Sequence, residues 1–321
     1  MHHLISPMKA DQGLAHLRRH HSPMPILTYL SLILTTFLWG GTFISGRMLA
    51  ASVDPAVAAF LRFLIASTAL LLLILAKEKR LIRPPRSTWL PLFFLGLSGV
   101  FAYNVFFFQG LHHITAGRAA LVIAGTPLLI TLLAALFFGE GLSPRKGIGI
   151  LLSLAGAVVV ISNGHPGELL HGGIGRGELA LLGCVVSWSI YSLIGRKVLQ
   201  EISPLHAVCI SSLIGTALLL IPASYHNLLP SLPAITLIDW TNLAYLGILG
   251  TAVGFSLYYQ GIQRIGAMRA GIFINLVPVF AVLLSWMILG EVIRPLVLVG
   301  GMLVLSGIAL ANLSPVARKL S

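Results

Sequence analysis

The second half of this chain repeats the first, and the repeat keeps polar residues in register. Residues 94–162 return 151 positions later as residues 245–313. The matches that chance does not explain are glutamine, arginine, proline and glycine–glutamate positions: Gln109 and Gln260, Arg118 and Arg269, Pro127 and Pro278, Gly139-Glu140 and Gly290-Glu291, Pro144 and Pro295. At an offset of 149, Trp39, Arg47 and Pro55 face Trp188, Arg196 and Pro204. Internal duplication of a membrane unit is typical of transporter folds.

Lipid is the solvent that this composition suits. Of the 321 residues 57% are apolar and only 9% are charged, with a mean hydropathy of +0.94, whereas a soluble domain carries about 25% charged residues. The net charge of +12 sits at the ends of apolar segments, so it does not indicate a nucleic-acid partner. The two cysteines are far apart and lack metal-ligand spacing, and neither a metal, a cofactor nor a disulfide is expected.

Ten apolar segments are long enough to be membrane-spanning helices, each of which needs about 20 residues. We place them near residues 27–50, 55–76, 88–111, 115–138, 144–162, 178–199, 204–223, 240–262, 267–289 and 295–313. The predicted fold class is therefore all-α integral membrane. The predicted divisions are a tail (1–26), a first repeat (27–163), a linker (164–177), a second repeat (178–314) and a second tail (315–321).

The distribution of Lys and Arg predicts the orientation. Sixteen of the 21 basic residues lie in the tails and on the same side as the tails, four lie on the other side, and Arg62 lies within a span. By the positive-inside rule, we expect both termini to lie in the cytoplasm. The predicted location of the chain is the cytoplasmic (inner) membrane. Five spans per repeat is an odd number, so the two repeats must enter the membrane from opposite sides. The sequence therefore predicts two inverted five-helix repeats with a site between them.

The N-terminal tail is polar and rich in histidine. It has no apolar core followed by a small-residue cleavage site, so we interpret it as a disordered cytoplasmic tail rather than a signal peptide. Metal binding by its histidines is a weaker alternative.

Polar and aromatic side chains within the spans are the candidates for a substrate-binding cavity, because such groups are costly in lipid unless they face a cavity or another helix. They are Trp39, Thr42, Tyr103, Asn104, Trp188, Tyr191, Tyr258, Tyr259 and Asn275. Helix packing is the alternative for the tryptophans. These groups suit a solute that has hydrogen-bonding atoms.

Duplicated prolines and arginines are candidates for gating. Pro127 and Pro278 lie near the middle of their spans, and each would free a backbone carbonyl four residues earlier. Arg118 and Arg269 lie in first turns at opposite faces, as interfacial anchors or as a pair of gate cations. Arg62 lies about 10 Å deep and has no counterpart in the second repeat; it either snorkels, makes a structural hydrogen bond, or contacts an anion.

The positions of the acidic residues disfavour one class of transporter, the exporters of cationic drugs. None of the nine acids lies in the middle of a span, whereas an exporter that exchanges cationic drugs for protons needs a membrane-embedded carboxylate. We interpret Glu140 and Glu291 as structural residues of helical hairpins. Glycines of the fifth and tenth spans indicate close helix packing, either between the halves or in a homodimer.

Two duplicated segments resemble the EamA domain of the drug/metabolite transporter superfamily. They run from Gly117-Arg118-Ala119-Ala120 to Pro144 and from Met268-Arg269-Ala270-Gly271 to Pro295, and Trp39-Gly40-Gly41-Thr42-Phe43 is similar to the family's opening motif. The resemblance covers about residues 28–314. It implies a ten-helix inverted repeat, a cavity lined by spans 1, 3, 4, 6, 8 and 9, and export or exchange of small metabolites, often amino acids. The second repeat opens with Ser187-Trp188-Ser189 instead, so the two cavity walls differ.

The predicted function is transport of small metabolites, most often amino acids or related compounds, by alternating access, in the direction of export. Its partners are then a small solute and the lipid bilayer. An exchanger of sugar phosphates or nucleotide sugars is the alternative, but it would need several deep cations and only Arg62 is deep. A third hypothesis is a membrane-embedded enzyme or scaffold. The sequence offers no cluster of catalytic residues for an enzyme.

Overall fold

The computed structural model describes residues 25–49, 52–79, 82–113, 119, 122–139, 141, 143–161, 175–289 and 295–312. Every regular element within these ranges is helical. Residues 1–24 of the first predicted tail, residues 164–174 of the predicted linker and the whole second tail fall outside them, as do Arg118, Glu140 and Glu291.

The long helices follow the apolar segments of the sequence. They are α1 (Pro25–Leu49), α2 (Pro55–Glu78), α3 (Arg86–His113), α4 (Thr126–Phe138), α5 (Pro144–Ile161), α6 (Arg176–Val198), α7 (Pro204–Tyr225), α8 (Leu237–Ile265), α9 (Ala267–Ile272 and Leu276–Leu289, joined by the 3-10 turn Phe273–Asn275) and α10 (Pro295–Asn312). Five of them begin at a proline, whose fixed φ suits the first turn and whose missing N–H costs nothing there. Asp54 caps α2 by accepting from the amides of Ala56 and Val57.

Six of the described helices are long and apolar enough to cross a membrane: α1, α2, α3, α6, α7 and α9. A seventh candidate is α8 together with the short helical segment Leu228–Ala234, from which it is bent by 115°. The chain is thus a helical, multi-pass membrane protein. The larger number of ten spans stays a prediction, since α4 is a shorter apolar helix within the described residues.

Two pairs of helices run antiparallel, and each pair joins one half of the chain to the other. The start of α2 meets the end of α7 through Asp54 and His226 at 3.2 Å, while the end of α2 meets the start of α7 through Glu78 and His206 at 3.5 Å. In the middle, Ser67 Oγ lies 2.9 Å from Thr216 Oγ1.

The second antiparallel pair, α5 and α10, packs through glycine. A Cβ on Gly149 would lie 2.7 Å from the carbonyl oxygen of Gly307, and one on Gly156 would lie 2.6 Å from that of Gly300. Such distances mean that the two backbones touch, which only residues without a side chain allow. The predicted glycine contact between the two halves is therefore present within this chain.

Helices α3 and α8 each contain a π-helical stretch. These stretches are Gly96–Ala102 and Tyr245–Val253, and their last residues are 151 positions apart. A π-helical stretch misaligns the backbone hydrogen bonds locally and is frequent at functional sites. The first stretch packs closely against Tyr191 at Gly99, and in the second the carbonyl of Gly250 accepts a hydrogen bond from Trp39.

Candidate substrate cavity

Two tryptophans at equivalent positions of the repeat meet at the centre of the molecule. The rings of Trp39 on α1 and Trp188 on α6 lie 5.2 Å apart with an edge-to-face angle of 89°. Phe255 on α8 packs against both, at 6.0 Å from Trp39 and 4.9 Å from Trp188. The contacts of Trp39 with Trp188 and Phe255 join the two halves, and aromatic pairs contribute about 0.5–1.5 kcal/mol beyond the area that they bury.

A cavity opens beside this cluster and has about 550 Å³ of empty space, including its mouth. It is lined by residues of α1, α2, α3, α6, α8 and α9 and by the segment that leads into α4: Trp39, Thr42, Phe43, Arg62, Tyr103, Phe107, Ile123, Thr126, Trp188, Phe255, Ile274 and Val277. An apolar and aromatic wall with a few polar groups is the usual form of a small-molecule site.

Among the described residues that line this cavity, Arg62 is the one that carries a charge, and it is only 5% exposed. Its Nε donates to Thr251 Oγ1 at 3.1 Å and its Nη1 donates to Asn104 Oδ1 at 3.3 Å. The guanidinium carbon lies 5.2 Å from the centre of the Phe63 ring. Within the described residues no carboxylate pairs with Arg62, and its other N–H groups have no hydrogen-bond partner there.

Asn104 thus holds the arginine and does not line the cavity. It is fully buried, and its Nδ2 donates to the carbonyl of Val100 at 2.6 Å. This bond orients the amide so that its oxygen faces the guanidinium. Burial of a charged group is costly unless it is hydrogen-bonded, so the structure holds Arg62 at this depth instead of letting it snorkel to the interface.

Three of the predicted cavity residues, Tyr191, Tyr258 and Tyr259, form a buried layer behind the cavity. Each is at most 1% exposed. The Tyr258 hydroxyl lies 3.0 Å from Ser192 Oγ, and the Tyr259 hydroxyl donates to the carbonyl of Tyr191 at 3.0 Å. The rings of Tyr191 and Tyr259 stack at 4.7 Å. We call these three residues the tyrosine layer.

The tyrosine layer lies between the central cavity and a second recess. Along α8, Phe255 lines the cavity and Ile262 lines the recess, with Tyr258 and Tyr259 between them. Along α6, Trp188 lines the cavity and Arg196 lines the recess, with Tyr191 between them. The recess also contains the basic residues Lys146, Arg264 and Arg269. The layer therefore separates the central cavity from the recess, and the recess lies on the side of the molecule where α1 begins.

The remaining predicted residues lie apart from the cavity. Asn275 is fully buried and its Nδ2 donates to Ser153 Oγ at 2.8 Å, which joins α9 to α5. Pro127 stands in the first turn of α4 after a turn at Ala124–Gly125, and Pro278 lies in the first turn of Leu276–Leu289. Each proline therefore follows a local change in helix geometry.

The carbonyl that Pro127 was expected to free has a local partner. Thr126 Oγ1 donates to the carbonyl of Ile123 at 2.6 Å, and both residues line the cavity. A helix interrupted here supplies polar atoms to the cavity at mid-depth, as broken helices do in transporters.

Sequence reasoning missed the aromatic residues Phe43, Phe107 and Phe255 and the arginine partner Thr251. Phenylalanine in an apolar helix carries no signal that distinguishes a cavity wall from lipid-facing surface. Thr251 lies one position after Gly250 in the π-helical stretch of α8, and Gly250 accepts a 2.8 Å bond from Trp39 Nε1. The glycine of the repeat could have pointed to this segment.

The chain is similar in sequence to members of one family of transporters. The sequence profile of the EamA-like transporter family matches residues 26–162 and 175–313. The protein called "Uncharacterized transporter YyaM", from Bacillus subtilis (strain 168), is 26% identical, with 88% of this chain and 93% of the relative covered. The "Probable terminal-alkyne amino-acid exporter" of Streptantibioticus cattleyicolor is 30% identical, with 90% and 94% covered. One crystal structure superposes with a TM-score of 0.74 at 25% identity, covering 89% of this chain and 98% of that one.

Proposed function

The chain belongs to the EamA-like transporter family, and from that premise we propose that it exports small carboxylate-bearing metabolites, amino acids and related compounds, through the cytoplasmic membrane. Its relatives are named as transporters and an exporter, so it is a transporter and not an enzyme. The observation that carries the proposed substrate class is the buried Arg62 in an aromatic cavity. A guanidinium binds a carboxylate through paired hydrogen bonds.

We also propose that the ten predicted spans form two inverted repeats and that both termini are cytoplasmic. Equivalent residues of the two repeats touch each other, Trp39 with Trp188 and Ser67 with Thr216, both 149 positions apart. Contacts between equivalent residues arise where a two-fold axis passes through a molecule. The antiparallel pairs α2–α7 and α5–α10 support the same relation, because an inverted repeat reverses each helix with respect to its counterpart.

Alternating access would then occur across the tyrosine layer. The layer closes one side of the cavity, and with cytoplasmic termini that side is the cytoplasmic one. Opening would require Tyr191 and Tyr258 to part from their partners on the opposite helix. A sugar-phosphate exchanger is a weaker candidate, because a phosphate ester carries about two negative charges and a single arginine lines the cavity within the described residues.

The test is uptake of labelled amino acids, nucleosides and sugar phosphates by liposomes that contain the purified protein, with and without a pH gradient. Saturable uptake of one class is expected to fall at least tenfold in Trp39→Ala. The matched control is Trp89→Ala, because Trp89 is 46% exposed on the outside of α3 and its loss should leave uptake unchanged. Equal loss in both variants, or no uptake by folded protein, would contradict the proposal.

A further inference from the structure

The central cavity has a positive charge that no described protein group neutralises. Arg62 is the one charged side chain that the described part of the chain contributes to its lining. The described acids all lie at helix ends and have other contacts: Asp54 and Glu78 with histidines, Glu178 with the first turn of α6, Glu201 with Ser87 and Thr88, and Asp239 with Ser52 and Thr236. The remaining acids of the sequence also lie outside the middle of the spans.

The described residues that line this cavity also lack a side chain that ordinarily exchanges its proton near neutral pH. Its lining contains no Asp, Glu, His or Lys within the described residues. An arginine keeps its proton under physiological conditions. The charge of the occupied site therefore equals one positive charge plus that of the solute.

From these two features we infer that the preferred substrate belongs to the related compounds of the proposed class rather than to the amino acids themselves. It is a monoanion, a carboxylate with an apolar or aromatic body and no ammonium group, and its export is driven by the membrane potential without a coupled proton. This inference rests on the proposed function and specifies its substrate and energy source. A monoanion neutralises Arg62. A zwitterion would leave one net positive charge and would bring its ammonium near the guanidinium, and the described lining offers it hydroxyl groups and aromatic faces but no carboxylate.

The direction follows from the sign of the charge. A complete transport cycle returns the empty protein to its starting state. Any movement of Arg62 across the membrane potential is therefore reversed within the cycle, and the net charge transported is that of the solute. A potential that is negative inside drives an anion outward. Each tenfold ratio of outside to inside concentration corresponds to about 59 mV for one charge, so a potential of about 100 mV sustains a ratio near 50.

The experiment compares three solutes with the same aromatic ring in liposomes that contain the protein. Phenyllactate has a net charge of −1, phenylalanine a net charge of zero and phenylethylamine a net charge of +1. Potassium gradients with valinomycin set the potential, and the distribution at steady state does not depend on how the protein is oriented. Liposomes without protein give the passive permeation to be subtracted.

We expect phenyllactate to be transported with a kcat/KM at least tenfold above that of phenylalanine. Its steady-state ratio should change tenfold for about 59 mV and should not respond to a pH gradient of one unit. Arg62→Gln should abolish its saturable transport, whereas Arg62→Lys, which retains the charge, should restore part of it. If Arg62→Gln does not fold, the inference is still tested by how the steady-state phenyllactate ratio of the unaltered protein depends on the membrane potential.

Two results would overturn the inference and leave the proposed function intact. One is preferred transport of phenylalanine, and the other is a phenyllactate ratio that follows the pH gradient or ignores the potential. If folded protein moves no member of this set or of the wider panel of metabolites, the proposed function fails as well.

Discussion

Replacing Gly99 by alanine should damage the tyrosine layer without altering any residue that touches solute. A Cβ at this position would lie 2.1 Å from Tyr191 Cδ2, whereas ordinary contacts begin at 3.4 Å. The ring would therefore have to move by about 1.3 Å, the difference between these distances. Tyr191 is fully buried between Tyr259 at 4.7 Å and Trp188 at 5.1 Å, so it has no free space on either side.

The cost of such overpacking is about 1–3 kcal/mol. The matched control is Gly147→Ala on α5, where an added Cβ meets nothing within 4 Å and helix propensity favours alanine by up to about 1 kcal/mol. Thermal unfolding of the purified variants in detergent should rank Gly99→Ala below the unaltered protein and Gly147→Ala level with it or above it. Transport by Gly99→Ala should also fall, because the displaced ring presses on Trp188 in the cavity wall.

A double-mutant cycle isolates the cause of the Gly99→Ala effect. In a Tyr191→Leu background the ring is absent, so adding Gly99→Ala should cost much less than it does alone. If Gly99→Ala unfolds at the same temperature as Gly147→Ala, or if its cost persists without the Tyr191 ring, the described packing of this layer is wrong.

Three further predictions concern the cavity and the helix pairs. Trp39→Phe keeps an aromatic ring but loses the 2.8 Å bond to the Gly250 carbonyl; loss of such a bond costs about 0.5–1.5 kcal/mol, seen as a lower unfolding temperature together with reduced transport. Tyr258→Phe removes a hydroxyl bonded to a serine, and we expect a loss of about 0.5–1.5 kcal/mol and a change in transport rate with the protein still in the membrane; unchanged uptake would refute its place in the gate. Gly156→Ala should destabilise by about 1–3 kcal/mol, because the new Cβ would meet backbone atoms of α10 at 2.6 Å, while Gly147→Ala on the same helix should not; equal stability would exclude direct α5–α10 backbone contact.

The boundaries of α2 and α7 were predictable because they depend on local chemistry. A span was predicted at 55–76 and α2 is Pro55–Glu78; another was predicted at 204–223 and α7 is Pro204–Tyr225. Proline and a capping side chain start both helices, and these signals lie in a few consecutive residues. The family resemblance was confirmed for the same reason, since its motifs are contiguous.

The cavity wall was only partly predictable. Trp39, Thr42, Tyr103 and Trp188 line it as the sequence suggested, whereas Tyr258 does not. Residues 255 and 258 of α8 are less than one helical turn apart, yet Phe255 lines the cavity and Tyr258 belongs to the layer behind it. Polarity alone does not report which part of a helix face meets empty space.

By itself the sequence determined that this protein lies in lipid, that it is duplicated and that its membrane interior has no acid, because composition and repeats belong to the chain whatever its fold. The tertiary structure decided what Arg62 does. Its partners Asn104 and Thr251 are 42 and 189 positions away, and such contacts exist only when packing brings three helices together. Burial then turned an arginine that could have snorkelled into a fixed positive charge in the wall of the cavity.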